Sequence, residues 1–364
     1  MPRIIAVSLV LASWLTACGG PKNLLPHSLY YLSGPSEAAQ VWRMETDGVN
    51  TTQVTHEEGR VDDFAVSPAD GSLAFVVDGR LFMMDLDGGN RRLIADESDV
   101  NRHVDDPGFT TSAGSPVFSP DGKTLAYALD GLHVYDLATG EDDHVLLNLG
   151  NLLGEAFVFA KEIYSPESWS PDGRKLLIGM GYMEGSTLAV MDMEAEQPFT
   201  RLRSHGPVCC TTSWTPDSRS VLVANASFST VEPGLWRYDV ETGEETVLMA
   251  GPRQDGSRDY IDWPLQLISG DLAFFHVNLE RFDPDIGIPL VMVRSDATGS
   301  NLRPIRTEPF DFFTALWSED GSFAVVVLPG EGEGSRRIAL ARTDESPLQV
   351  LIEGERIHRL AWGP

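Results

Sequence analysis

The chain has 364 residues, with 54 Asp and Glu against 27 Lys and Arg, for a formal net charge of −27. So acidic a surface repels phosphate backbones and anionic lipid, which argues against a nucleic-acid partner and against charge-driven adsorption to a membrane. It suits a basic partner or cations, or simply keeps the protein soluble, and the length suffices for one large all-β domain or two ordinary ones.

At the N-terminus, Arg3 is followed by an apolar run over residues 4–15. About a dozen residues reach roughly 18 Å as a helix, too short for a permanent span. A charged start, a short apolar stretch and small residues before a cleavage point predict a signal peptide over 1–17. The run ends Leu15-Thr16-Ala17-Cys18-Gly19-Gly20. This resembles the lipobox of bacterial lipoproteins, whose cysteine thiol is diacylated and becomes the new N-terminus. The resemblance implies that Cys18 is a lipid attachment site in the cell envelope, facing the periplasm or the exterior. Gly19, where an Asp would retain the protein elsewhere, implies the outer membrane if the cell is Gram-negative. Each buried acyl CH₂ contributes about 0.8 kcal/mol, so two chains anchor stably. Residues 18–27 then read as a lipidated linker. No later apolar stretch approaches eighteen residues, so the lipid is the one membrane contact expected.

From residue 28 the sequence is a repeat. One unit reads in full over 115–149, SPVFSPDGKTLAYALDGLHVYDLATGEDDHVLLNL. A first strand ends at Ser119-Pro120-Asp121-Gly122, where Pro presets φ, Asp bonds its own backbone and Gly accepts positive φ. A second strand over 124–128, a third over 132–136 and a fourth at about 144–148 complete a four-stranded antiparallel blade. The first-strand signature recurs as FAVSPADG (64–71), PVFSPDG (116–122), ESWSPDG (167–173), TSWTPDS (212–218) and ALWSEDG (315–321). One unit is irregular: around 263–275 the turn shrinks to Ser269-Gly270-Asp271, and its third strand follows a long insertion.

The chain ends decide the closure. SLYYLSG (28–34) reads as a second strand with no first strand before it, and RIHRLAWGP (356–364) as a first strand with nothing after it. Pairing them closes a ring and removes two exposed sheet edges. At roughly 48 residues per unit, one composite and six continuous blades fill residues 28–364. The expectation is therefore an all-β, seven-bladed β-propeller, closed by its C-terminal strand.

These motifs resemble the TolB-type propeller repeat of bacterial envelope proteins, with its aromatic-Ser-Pro-Asp-Gly turn, its Leu-Ala-Phe-like second strand and a Met84-Asp85-Leu86-Asp87-Gly88-like third turn. The resemblance covers about 28–364 and speaks for fold more than function, since one repeat serves scaffolds, binding modules and enzyme-associated domains. The family's namesake is soluble, six-bladed and carries an added N-terminal α/β domain, so the kinship implied is architectural.

Catalytic motifs are scarce. The sequence has no Gly-x-Ser-x-Gly elbow and no Walker loop, and His56-Glu57-Glu58 lacks a zincin's second histidine. Asp85-Leu86-Asp87-Gly88-Gly89-Asn90 misplaces its glycines for a calcium loop and reads as a hairpin turn. In a propeller, the links entering each first strand lie on one face. Those links carry His56, His103 with Asp105 and Asp106, His205 and His358, a set suited to a divalent metal if the ring gathers it. Some seven-bladed lyases place a histidine-bound metal at such a mouth. The other reading of these histidines is solvated loops.

Long links over 95–115, 150–166, 277–289 and the acidic 330–335 add to the same face. The apolar run 156–160 reads either as a docking surface or as a short helix or strand folded back onto the blades. Cys209 and Cys210 are the cysteines left once Cys18 is lipidated. Adjacent Cα atoms about 3.8 Å apart make a vicinal disulfide strained, so a reduced, inaccessible pair is expected. The leading expectation is a monomeric, non-enzymatic module that needs no cofactor and presents one propeller face to an envelope protein or glycan. The alternative is a metal-dependent lyase or hydrolase acting on an extracytoplasmic polymer at the channel mouth.

Overall fold

The computed structural model describes residues 23–96, 112–153, 157–182, 185–195, 199–202, 211–225, 233–251, 253–280, 288–344 and 346–364, without the side chains of 150–161. The chain forms seven antiparallel sheets arranged as the blades of a propeller.

Blade 1 is the composite: β29 (His358–Trp362) lies beside β1 (Leu29–Ser33), followed by β2 (Gln40–Met44) and β3 (Thr51–Gln53). The pairs Leu29↔Trp362, Tyr30↔Ala361 and Tyr31↔Leu360 close the ring as the chain ends foretold. Blade 2 holds β4 (Val61–Val66), β5 (Leu73–Val77), β6 (Arg80–Met84) and β7 (Arg92–Ala95). Blade 3 holds β8 (Gly114–Phe118), β9 (Thr124–Ala128), β10 (Gly131–Asp136) and β11 (Asp142–Leu147). Blade 4 has an additional strand, β12 (Leu149–Leu153), ahead of β13 (Phe157–Trp169), β14 (Lys175–Tyr182), β15 (Gly185–Asp192) and β16 (Thr200–Arg201). Blade 5 comprises β17 (Thr211–Trp214), β18 (Ser220–Asn225), β19 (Gly234–Asp239) and β20 (Glu245–Ala250). Blade 6 comprises β21 (Arg258–Gln266), β22 (Leu272–Leu279), β23 (Val291–Ser295) and β24 (Arg303–Pro304). Blade 7 comprises β25 (Thr314–Trp317), β26 (Phe323–Pro329), β27 (Ser335–Arg342) and β28 (Gln349–Glu355).

The second strand of each blade is covered on both faces, which is why it reads as an unbroken apolar run and not as an alternation. All five residues of β5 are buried, as are the first six of β26. The apolar clusters lie between neighbouring blades. Tyr30, Val41, Phe64 and Phe75 join blades 1 and 2, Phe275 and Trp317 join blades 6 and 7, and Leu29, Tyr31, Val325 and Ile357 join blades 7 and 1. Leu25, inside the segment expected as linker, is buried in that last cluster, and the Leu24 and Leu25 amides both donate to the Thr46 carbonyl at 2.7 and 2.9 Å.

The Ser-Pro-Asp-Gly turns satisfy their own polar groups. The Ser119 hydroxyl donates to Asp121 at 2.7 Å and accepts the Thr124 amide at 3.0 Å, while Gly122 takes φ 67°. Blade 5 places Ser218 at the same left-handed position, φ 60°, and uses its hydroxyl to accept the Asp172 amide of blade 4 at 3.1 Å. The link expected over 150–166 is instead a β-hairpin: the first half of β13 pairs with β12 (Gly150↔Ala160, Leu153↔Phe157) and its second half becomes the inner strand of blade 4. Of the two readings of residues 156–160, the folded-back strand is the one found for 157–160; residue 156 lies outside the described residues.

Candidate functional site: the bulged wall of the central cavity

The first strand of each blade is the innermost. Four indoles tie these strands to one another around the axis. Trp169 donates to Val117 O (3.2 Å), Trp214 to Ser168 Oγ (3.1 Å), Trp317 to Trp263 O (2.8 Å) and Trp362 to Trp317 O (2.9 Å). Inside lies a cavity of about 610 Å³ lined by residues of β4, β8, β13, β21, β25 and β29.

Five of these inner strands slip register against their partners: β4 between Val61 and Asp63, β8 between Gly114 and Val117, β13 between Pro166 and Ser168, β21 between Asp262 and Leu265, and β29 where Arg359 is the extra residue. A β-bulge adds one residue, bends the strand and re-aims a side chain. Ser115, Trp263 and Arg359 take positive φ (50°, 52° and 47°) at these points. Pro116, Pro166 and Pro264 sit there too, where the missing N–H costs the ladder nothing.

The bulges bring charge to the cavity. Arg359 Nε lies 2.5 Å from Asp63 Oδ1, joining blades 1 and 2, and also reaches Phe64 O at 3.2 Å. Burial pushes the Asp63 carboxyl above its ordinary range, against the pull of Arg359. Glu167, the extra residue of β13, is open to water in the cavity but enclosed by protein, and that enclosure raises its carboxyl as well; Arg359 opposes the shift and Asp63 adds to it. Glu167 has its seat because β14 has a glycine there: a Cβ on Gly179 would lie 2.7 Å from Glu167 Oε1. On β21, burial pushes Asp262 up to about 6, although it accepts hydrogen bonds from Thr211 Oγ1 and the Trp263 amide. Three carboxyls that hold protons more tightly than usual, with one guanidinium, therefore sit on the bulged inner strands. Of these four, Glu167 and Arg359 line the cavity and Asp63 meets it through Arg359, while Asp262 lies behind the wall at Trp263. A perturbed carboxyl in a cavity is the usual mark of a working site. This set can ion-pair with or hydrogen-bond a ligand in either protonation state.

The residues singled out from sequence fare differently. His56 is exposed on the link from β3 to β4, its Nδ1 3.2 Å from Gln53 Nε2. His358 opens β29, and its Nδ1 donates to Arg356 O at 2.6 Å. Among the described residues no group of three or more His, Cys, Asp or Glu could hold a metal ion. His103, Asp105, Asp106, His205, Cys209, Cys210 and Cys18 lie outside the described residues. The Asp85–Asn90 segment is the plain hairpin expected, with Asn90 Nδ2 donating to Asp85 at 2.6 Å.

Sequence reasoning missed Asp63, Glu167, Asp262 and Arg359. A signal was present: a charged residue two or three positions ahead of the last residue of an inner strand, or two ahead of an inner-strand proline, where blades 5 and 7 carry Thr212 and Thr314. It also missed Asp259, buried to 3 % and bonded to Arg253 (2.6 Å), His276 (2.8 Å) and Asn278 (3.0 Å). With its oxygens so occupied, Asp259 ties blade 6 together.

No protein-family model matches the chain. A 62-residue stretch is 39% identical to the Tol-Pal system protein TolB of Acinetobacter baylyi, covering 17% of this chain and 14% of that protein. Among solved structures, a puromycin hydrolase superposes with a TM-score of 0.58 at 17% identity, over 91% of this chain and 52% of its own. A puromycin-hydrolyzing peptidase of Mycobacterium tuberculosis gives 0.57 at 13% identity, over 90% and 53%. The chain thus spans about half the length of those two structures, and at such identities the likeness is one of fold. Together the repeat, the ring and the partial match describe a TolB-like β-propeller.

Proposed function

We propose that this chain is a binding module of the bacterial cell envelope, anchored through lipid on Cys18, which engages a protein or glycan partner at the link-bearing mouth of its central cavity. The observation that carries the reading is the convergence of Asp63, Glu167 and Arg359 on bulges of three different blades. Repeat geometry alone does not call for bulges, and enclosed carboxyls held above their ordinary range weaken a fold at neutral pH. Features that cost stability and gather at and beside one cavity are retained for what they bind. The match to part of a protein named for the Tol-Pal system supports an envelope setting. The absence of an elbow or Walker motif supports binding over catalysis.

Two experiments test it. Anchoring predicts that Cys18→Ala abolishes incorporation of labelled palmitate, and undiminished label removes the anchor from the account. Binding predicts that a photo-crosslinking residue at Thr314, on the cavity wall, captures a discrete envelope partner in cells, whereas one at Lys123, on the opposite rim, does not. Equal capture at both positions, or none at Thr314, overturns the reading.

A further inference from the structure

A second, smaller pocket of about 300 Å³ opens where blades 7, 1 and 2 meet, lined by Arg60, Asp62, Arg336, Arg356 and His358 over a floor that includes Ala39 and Val61. Three arginines in one pocket are unexpected in a chain of net charge −27. One is accounted for: Arg60 donates to Asp62 at 2.7 Å. Among the described residues Arg336 and Arg356 form no ion pair with a carboxylate. Arg336 is held by stacking on Phe313 at 3.8 Å and by donating to Ile357 O at 3.0 Å, which fixes its guanidinium without neutralising it. Burial and then the neighbouring Arg356 both disfavour its charge. Two like charges brought together without a counter-charge cost free energy, and an oxyanion seated between them removes that cost.

We propose that this pocket binds a small ligand through an oxyanion group, carboxylate or phosphate, held between Arg336 and Arg356. Guanidinium is the side chain suited to that recognition, because its planar fork meets two oxygens at once. A volume near 300 Å³ is at the lower end for small-molecule sites and has room for one sugar acid or one phosphomonoester. The pocket is distinct from the central cavity, so this inference stands whether or not the cavity wall binds a partner.

Calorimetric titration of the mature protein with glucuronate, with inorganic phosphate and with glucose as neutral control, at fixed ionic strength, tests it. The expected result is saturable binding of at least one anion and none of glucose. Tighter binding of phosphate than of glucuronate points to a phosphomonoester, and the reverse order to a sugar acid. Arg356→Gln, an exposed position, should weaken binding about tenfold or more with an unchanged melting temperature. Arg336→Lys keeps the charge but loses the fork, and should fall between the two. Saturable binding of neither anion, or parental affinity in Arg356→Gln, overturns the proposal.

Discussion

The two rims of the ring are built by different rules. On the turn rim most polar groups find partners within a few residues, although among the described residues the Ser67 hydroxyl of blade 2 has none and the Asp172 amide reaches Ser218 of the next blade. The Ser119 and Thr215 hydroxyls hold the Asp121 and Asp217 carboxyls below their ordinary range, and the following strand amides close the turns. The inner strands leading from the other rim break the repeat. Their bulges put Asp63, Glu167 and Asp262 where burial raises the carboxyls, and leave Ser115, Trp263 and Arg359 at positive φ. One rim lowers the free energy of the fold by local means. The other spends some of it, and the neighbouring pocket crowds two cations as well. Such a division is what a scaffold bearing a site looks like.

Breaking the ring should have the largest effect. Deleting residues 356–364 removes β29, opens two sheet edges and takes Ile357 and Trp362 out of the core. Truncating two such side chains costs roughly 5 kcal/mol or more, a large share of a domain's stability. The protein should aggregate or lose cooperative unfolding, and unchanged melting with an intact monomer would refute the closure. Next comes Asp259→Ala, which removes the partner of His276 and of the half-exposed Arg253. Losing hydrogen bonds to a buried charged group, with Arg253 free to hydrate, costs about 2–3 kcal/mol. Burial acts to raise the Asp259 carboxyl, but hydrogen bonds from His276, Arg253 and Asn278 outweigh it and hold the group at about 2. Its contribution is therefore full above its ordinary value of 3.8 and is lost as pH falls toward 2. Urea melts of parent and variant should converge over that window.

Asp262 has the opposite sign. Its folded-state value of about 6 lies above the ordinary 3.8, so its contribution is full below 3.8 and is lost as pH rises through 6. Asp262→Asn keeps acceptors for Thr211 and the Trp263 amide. It should gain about 1–2 kcal/mol at pH 7, discounted for partial solvent access, with no gain at pH 4. Equal stability of parent and variant at pH 7 would mean the carboxyl is not desolvated. The smallest effect belongs to Ser218→Gly. Relief of a left-handed serine and loss of the hydroxyl's bond to the Asp172 amide are each about 1 kcal/mol, so the melting temperature should barely move.

How much was legible follows from the same division. Turn chemistry repeats at fixed spacing and acts within a few residues, so Ser-Pro-Asp-Gly and the apolar second strands disclosed the blades, their number and the closure by 356–364. The hairpin of β12 and β13 was hidden because its apolar residues 157–160 carry no turn signature on their own. The bulges were hidden because each depends on neighbours from other blades. Arg359 meets Asp63 across 296 residues of chain, and Glu167 needs Gly179 to leave room. Pro116, Pro166 and Pro264 inside inner strands were the readable trace, since a proline in a strand that others pair with marks a break in the ladder. The histidines were conspicuous by residue type, yet His56 and His358 have separate local partners.

The claim that the bulged wall binds while the turn rim stabilises is tested most directly by crosslinking from Thr314 in two variants matched against the parent. Asp63→Asn, Glu167→Gln and Arg359→Gln combined in one variant leave the turns intact and neutralise both partners of the Asp63–Arg359 pair along with Glu167. Ser119→Ala removes a turn hydroxyl and should cost about 1 kcal/mol. The account predicts that partner capture is lost in the first at an equal or higher melting temperature, and kept in the second at a lower one. Capture kept in the cavity variant and lost in the turn variant would contradict it.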